Sequence, residues 1–247
     1  VSAFQALVLA GSRGPHDPVA AYAGVTHKAL IPLGGRTLIA RVVDALAEAG
    51  ATRIAVSAND PAITAGLTGV EPIAAEAGPS LSVRAAVERL GTPLLVTTAD
   101  HALLRPEWVR RFLEDVPAGT DVAALLARRD VVEAAAPATR RTYLKFRDGE
   151  WSGCNLFLLA GDRALAAVDL WRRVEVHRKQ PWRIAALLGP DILLGYALGR
   201  LTLAEAVARL GRKAGATARA VATPYGLAAV DVDKPADLDL VRRIVEA

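Results

Sequence analysis

The stretch F-Q-A-L-V-L-A-G-S-R-G-P, Phe4 to Pro15, is an apolar run that stops abruptly in glycine and proline. Phe4 to Ala10 reads as a first strand, and Gly11-Ser12-Arg13-Gly14-Pro15 is the turn that ends it. A glycine-rich turn directly after a first strand lets backbone N–H groups approach phosphates closely, because glycine tolerates positive φ and has no side chain in the way. Two cations follow: Arg13 can make forked contacts to phosphate oxygens, and Lys28 can act as a point charge on a leaving pyrophosphate. The pattern is neither a P-loop, which needs G-K-[ST], nor the dinucleotide G-x-G-x-x-G. Taken alone, it is equally a surface turn with two solvated bases.

Outward from this turn, a long loop leads to Lys28-Ala29-Leu30-Ile31-Pro32-Leu33 and the turn Gly34-Gly35. Thr37 caps an amphipathic helix through Ala49. Arg53 to Ser57 is a second strand left by the turn Asn59-Asp60-Pro61, and Ser80 or Ser82 caps a helix with Val83, Ala86, Val87 and Leu90 on one face. Pro93 to Thr97 is a short buried strand ending at Ala99-Asp100. A helix from Pro106 to about Leu113 and a strand from Val122 to Ala127 continue the alternation, which is that of a parallel, doubly wound α/β sheet. Thr139 to Leu159 suggests a β-hairpin around Asp148-Gly149. Asp162 to Leu210 looks helical with breaks at Pro181 and Gly189-Pro190. Thr217 to Thr223 and Ala228 to Val232 return to strand, and Pro235 opens a last helix to Val245.

At 247 residues the chain suits one domain, residues 1–247, with residues 160–215 as a helical insert or lid. A formal charge of +4 and a pI near 9.5 suit an anionic small ligand without excluding acidic lipid or nucleic acid. Cys154 is the only cysteine, so neither an internal disulfide nor a cysteine metal cluster can form. That fits a reducing compartment, and a cytoplasmic location is expected. The apolar start lacks the basic n-region of a signal peptide.

Leu9 to Gly14 (L-A-G-S-R-G) followed by His27 to Leu38 (H-K-A-L-I-P-L-G-G-R-T-L) resembles the signature L-A-G-G-x-x-x-R-M then K-x-L-x-x-x-x-G-x-P-L of the nucleotidyltransferases with a GT-A-like fold. The molybdenum cofactor guanylyl- and cytidylyltransferase group (MobA-like NTP transferases) is nearest in pattern. The chain departs from the signature in lacking methionine after Arg13 and in its longer, proline-containing loop to Lys28. Gly78-Pro79-Ser80-Leu81-Ser82 resembles the family's base-reading G-x-x-x-S segment, and Thr97 to Leu104 resembles the strand end whose aspartate binds metal. Asp231-Val232-Asp233-Lys234-Pro235-Ala236-Asp237-Leu238 resembles the closing D-[IV]-[DN]-T-P-E-D-L. The resemblance implies a mostly parallel, doubly wound, Rossmann-like sheet of GT-A type. It also implies transfer of NMP from an NTP, with CTP or GTP favoured, to a phosphorylated small molecule, with Mg²⁺ as cofactor.

On that resemblance Lys28, Arg13 and Asp100 are the catalytic candidates. Leu9, Ala10, Gly11, Ser12, Gly14, Asn59, Gly78, Ser80 and Ser82 are the nucleotide-binding candidates. Mg²⁺ prefers oxygen ligands and takes one or two carboxylates from the protein, which points to Asp100 with Asp231 or Asp233. The last two, two apart on an expected strand, should face the same side, although Asp233 could instead cap the Pro235 helix. Trp151 to Phe157 resembles an acceptor-facing strand, making Ser152, Gly153 and Asn155 candidates, with Arg140, Arg141 and Lys145 nearby for an acceptor phosphate. Cys154, in an apolar stretch, reads as core.

The basic, tryptophan-bearing segment Trp171 to Arg183 and the apolar helices after it suit a packed lid or a homodimer surface better than membrane-surface contact. Gly189-Pro190-Asp191 makes the apolar run too short to span a bilayer. No aromatic-interleaved basic face points to nucleic acid. Two alternatives accompany the leading reading: a GT-A-type glycosyltransferase, although Asp100-His101-Ala102 lacks the second Asp of a D-x-D motif, and a non-catalytic nucleotide- or membrane-surface-binding module.

Overall fold

A computed structural model describes residues 3–11, 17–161, 163–177 and 180–246. Ser12, Arg13 and Gly14 fall outside these residues. The first half of the chain runs β1 (Phe4–Leu9), α1 (Pro18–Ala23), a 3₁₀ turn (Lys28–Leu30), β2 (Pro32–Leu33), β3 (Arg36–Thr37), α2 (Leu38–Ala49), β4 (Ala51–Ser57), α3 (Ala62–Ala65), β5 (Val70–Ile73) and α4 (Pro79–Leu90). It continues with β6 (Leu94–Thr98), α5 (Pro106–Asp115), β7 (Val122–Arg128), α6 (Arg129–Ala135), β8 (Leu144–Phe146) and β9 (Gly149–Leu159). The remainder is α7 (Ala164–Val176), α8 (Pro181–Leu188), α9 (Pro190–Ala197), α10 (Leu203–Ala214), β10 (Ala218–Thr223), a 3₁₀ turn (Gly226–Ala229) and α11 (Pro235–Val245).

The main sheet has the order β10-β7-β9-β6-β1-β4-β5, with β8 paired to β9. All its pairs are parallel except those of β9, which runs antiparallel between β6 and β7. Alternation along the strands buries both faces. Ala6 and Val8 of β1 join a core with α2, α5 and α11, whereas Leu7 joins a second core with α4 and α7. The chain therefore winds outward from β1 in both directions. In such sheets the crevice for a ligand opens beyond the carboxyl ends of the strands where the winding reverses, here β1 and β6.

Thr37 caps α2 as expected, its hydroxyl accepting from the Ala40 N–H at 3.3 Å. The expected long loop before Lys28 contains α1, whose start Asp17-Pro18 and left-handed stop Gly24 are ordinary helix signals. α4 is not capped by Ser80 or Ser82. Gly78 stands at its cap position and both serines are buried inside the first turn, with their hydroxyls engaged elsewhere. The strand expected at Ala228 to Val232 is also absent: this apolar run forms a 3₁₀ turn and an unladdered segment packed into the larger core near α6. Of residues 160–215, α7 packs on α4 and α10 on β10, while α8 has no buried side chain among those described. No described helix is long and apolar enough to cross a membrane.

Candidate active site

Three loops meet at the carboxyl edge of β1 and β6. The 3₁₀ turn carrying Lys28 is held by the His27 ring, which accepts from the Ala29 N–H at 3.0 Å. Asp100 follows β6 directly; its carbonyl accepts from Val232 N–H at 3.1 Å, tying the third loop to the sheet. The Thr98 hydroxyl donates to Asp100 Oδ1, and Lys28 Nζ donates to Asp100 Oδ2 at 2.6 Å. Asp233 Oδ1 lies 3.5 Å from the same ammonium. Lys28 and Asp100 are 20% and 14% exposed, whereas Asp233 is 58% exposed, so the pair is held inside and the third carboxylate stands at the mouth.

Burial by itself disfavours the Lys28 ammonium, but Asp100 and then Asp233 outweigh it and hold the amine above its ordinary range. Burial likewise works against the Asp100 carboxylate, and the Lys28 charge overrides it, so Asp100 stays below the usual carboxylate range. Both groups are charged near neutrality. Beside them, buried His101 is pushed by desolvation down to about 4 and is neutral.

Asp231 and Asp233 do not share a face. Asp231, 7% exposed, is gripped by the Arg141 guanidinium through both terminal nitrogens and by Asn155 Nδ2 at 2.5 Å. Three hydrogen bonds from within the protein therefore engage the carboxylate that the sequence offered as a metal ligand, and they tie it to Arg141 and Asn155 rather than to Lys28. The capping alternative for Asp233 also fails, because the Asp237 carboxylate accepts the N–H groups of Asp233 at 3.1 Å and Lys234 at 2.9 Å. That leaves the Asp233 carboxylate turned toward Lys28. Among the described residues no three carboxylate, histidine or cysteine side chains converge as a ready metal cage. Asp100 and Asp233, converging on one cationic atom, are a donor set that fits an oxygen-seeking divalent ion with one or two protein ligands.

On the other flank of β1, Asn59 clamps the 74–78 segment: its side-chain amide donates to Ala75 O at 3.0 Å and accepts from Ala75 N–H at 2.9 Å. Gly11 lies against this segment, where a Cβ would stand 3.7 Å from that of Ala75. Leu9 and Ala10 extend the sheet instead: Ala10 N–H donates to Ser57 O at 2.9 Å and Leu9 O accepts from Ala99 N–H at 3.0 Å. The amide of Ala10 is therefore already used. Ser82 Oγ accepts from Glu76 N–H at 3.0 Å, and Ser80 Oγ donates to Glu175 at 2.5 Å. A concavity lined by Phe4, Pro93, Asp121 and Thr217 lies at the amino ends of the strands, opposite Lys28 and Asp100.

Residues 6–223 match the model of the MobA-like NTP transferase domain. The chain belongs to that family. It is a nucleotidyltransferase, which sets aside the glycosyltransferase and binding-module alternatives. A hypothetical transferase from Thermus thermophilus is 36% identical, with 96% of this chain and 100% of that one covered at a TM-score of 0.83. The CMP:2-keto-3-deoxy-manno-octonic acid synthetase complexed with CTP is 18% identical, with 99% of each chain covered at a TM-score of 0.59. The 2-C-methyl-D-erythritol 4-phosphate cytidylyltransferase of Thermus thermophilus is 15% identical, with 100% of both chains covered at a TM-score of 0.57. These last two share the fold. No curated protein sequence matches the chain.

The acceptor candidates of this NTP transferase separate in space. A bulge opposite Leu125 puts extra residues into β9 and leaves Asn155 at φ +47°, a left-handed position that asparagine tolerates. The bulge delivers Asn155, with Arg141, onto Asp231. Ser152 is buried on β9, whereas Gly153 is exposed. Lys145 pairs with Glu150 across the hairpin at 3.5 Å, and Arg140 is exposed before it. Sequence reasoning missed Thr98, Asp237 and Glu175. Thr98 and Asp237 sit inside recognised motifs, but nothing local marks Glu175, which meets Ser80 across 95 positions.

Proposed function

We propose that this chain moves a nucleoside monophosphate from an NTP to a phosphorylated small-molecule acceptor, releasing pyrophosphate. The observation that carries this is Lys28 held between Asp100 and Asp233 at the carboxyl edge of the sheet, in a chain of the MobA-like NTP transferase family. The triphosphate lies along that edge with its charge toward Lys28, and Asp100 and Asp233 are the residues to hold Mg²⁺. When bound, the ion supplies neutralisation of the triphosphate that two carboxylates alone would repel. Lys28 then exchanges its contact with Asp100 for phosphate oxygens.

An ionised acceptor phosphate oxygen attacks the α-phosphorus in line. The new oxygen–phosphorus bond forms as the bond to the bridging oxygen breaks, and that electron pair leaves on pyrophosphate. The attacking oxygen carries no proton near neutral pH, so the step needs no general base. Positioning and fixed charge supply most of the acceleration. Arg140, close to the Arg141–Asp231–Asn155 cluster in sequence, faces solvent where an anionic acceptor can reach it.

The test is to incubate the protein with Mg²⁺, each NTP and a panel of sugar and polyol phosphates while measuring pyrophosphate. Release that needs both substrates and is lost in Asp100→Asn supports the reading. Absence of NTP binding, or activity untouched by Asp100→Asn, overturns it.

A further inference from the structure

Nine large apolar side chains are exposed among the described residues, and six of them lie between Trp171 and Leu198: Trp171, Val176, Trp182, Leu194, Tyr196 and Leu198. Trp182 is 66% and Leu194 62% exposed. The exposed positions Trp182, Arg183 and Ala186 of α8, and Asp191, Leu194 and Ala197 of α9, recur at helical spacing, so each helix turns one such face outward. The inner side of α9 is fixed: Ile192 packs with Leu201 and Ala206, and the Tyr196 ring meets Phe146 edge-on at 5.3 Å. α8 has no buried side chain among those described, although Arg183 is its only charged residue. A helix this apolar calls for a cover.

The pair sits at the same edge of the sheet as Lys28 and Asp100. α7 ends against the first turn of α4 through Glu175 and Ser80, and α4, which follows β5, starts at the carboxyl edge. α10 begins against Asp148, in the turn before β9, where Trp151 pairs with Arg128 at the carboxyl end of β7. The surroundings are cationic. From Trp171 to Lys213 nine Lys and Arg stand against three Asp and Glu, an excess of six in a chain whose net charge is +4. Of those three acids, Glu175 is turned to Ser80 and Asp191 lies 3.7 Å from Arg209. Arg172, Arg173 and Arg183 are exposed, and the Arg183 guanidinium lies over the Trp182 ring at 4.9 Å.

This charge decides between occupants. A twofold contact with a second copy sets one cationic rim against another. An anionic lipid surface suits both features, taking the apolar side chains at the acyl boundary and the guanidinium groups at the phosphates. We propose that α8 and α9 dock this protein on membranes rich in anionic lipid, with Trp182 as the anchor. The helices lie in the interface, since no described helix is long and apolar enough to cross a membrane.

Flotation of the full chain with vesicles of phosphatidylcholine, alone or mixed with phosphatidylglycerol, tests this without nucleotide and so independently of the nucleotidyl-transfer reading. Binding to the anionic vesicles should exceed binding to the neutral ones by about a hundredfold, because each of the three exposed arginines contributes about fivefold near such a surface. It should weaken as salt rises. Trp182→Ser with Leu194→Ser should lower binding about tenfold or more and leave the melting temperature unchanged, both side chains being exposed. Arg172→Gln with Arg183→Gln should remove most of the preference for anionic vesicles, and it decides the matter if the serine variant does not fold. Absence of vesicle binding, equal binding to both compositions, or binding that neither variant changes overturns the proposal. So does a wild-type dimer in sedimentation velocity that the serine variant turns into monomer, which assigns the face to a second copy.

Discussion

Asp231→Ala separates a carboxylate that holds the fold from one that holds a ligand. In the native protein Asp231 is 7% exposed and Arg141 15%, and Asn155 adds a second donor to the same carboxylate. Removing Asp231 strands the guanidinium and the Asn155 amide together. Breaking a buried ion pair by deleting one partner costs about 3–5 kcal/mol, and the partial access of water to Arg141 reduces this to about 2–4 kcal/mol. For a domain of this size that is a fall in Tm of roughly 5–15 °C. Replacing both partners, Asp231→Leu with Arg141→Met, should recover most of the loss, because no charge is then left unpaired. Calorimetric melting gives the stability, and Mg²⁺-dependent NTP titration of the same variants gives the ligand side. A Tm within about 2 °C of wild type, with Mg²⁺-dependent binding abolished, would refute the reasoning and return Asp231 to the metal site.

Lys28→Ala leaves Asp100 and Asp233 facing each other without their shared cation. Pyrophosphate release should fall by about a hundredfold or more, and the Asp100 carboxyl, followed by carbon NMR, should titrate at higher pH than in the wild type. His101 titrates at about 4 in the folded protein against an ordinary 6.5, so between those values the unfolded chain binds the proton and the native state does not. Stability should therefore be level above about pH 6.5 and fall by up to about 3 kcal/mol as pH drops toward 4, and urea titrations of His101→Asn should show a flatter acid limb. Burial pushes the Cys154 thiol up to about 12, so a thiol reagent at about pH 8 should leave native protein unlabelled and label one site per chain in concentrated guanidinium chloride. Rapid labelling of the native protein would contradict that burial.

The first strand, the Thr37-capped helix, the turn at Gly34-Gly35 and the positions of Lys28 and Asp100 were all legible in the sequence. Each depends on local chemistry: apolar periodicity, a cap, a turn, a residue at a strand end. Asp231 and Asp233 show where local chemistry stops. They are the same residue type two positions apart in one motif, yet one is consumed by Arg141, 90 positions away, and the other turns to Lys28, 205 positions away. Ser80 is similar, a good cap by its type but claimed by Glu175 once α7 docks on α4. The antiparallel insertion of β9 and its bulge at Asn155 also depend on which strands lie on either side. The end of β1 thus marks the edge of the sheet at which Lys28 and Asp100 meet. Which further carboxylate turns toward them is decided by partners that only the folded chain brings within reach, because a side chain's free energy depends on its neighbours and not on its place in a motif.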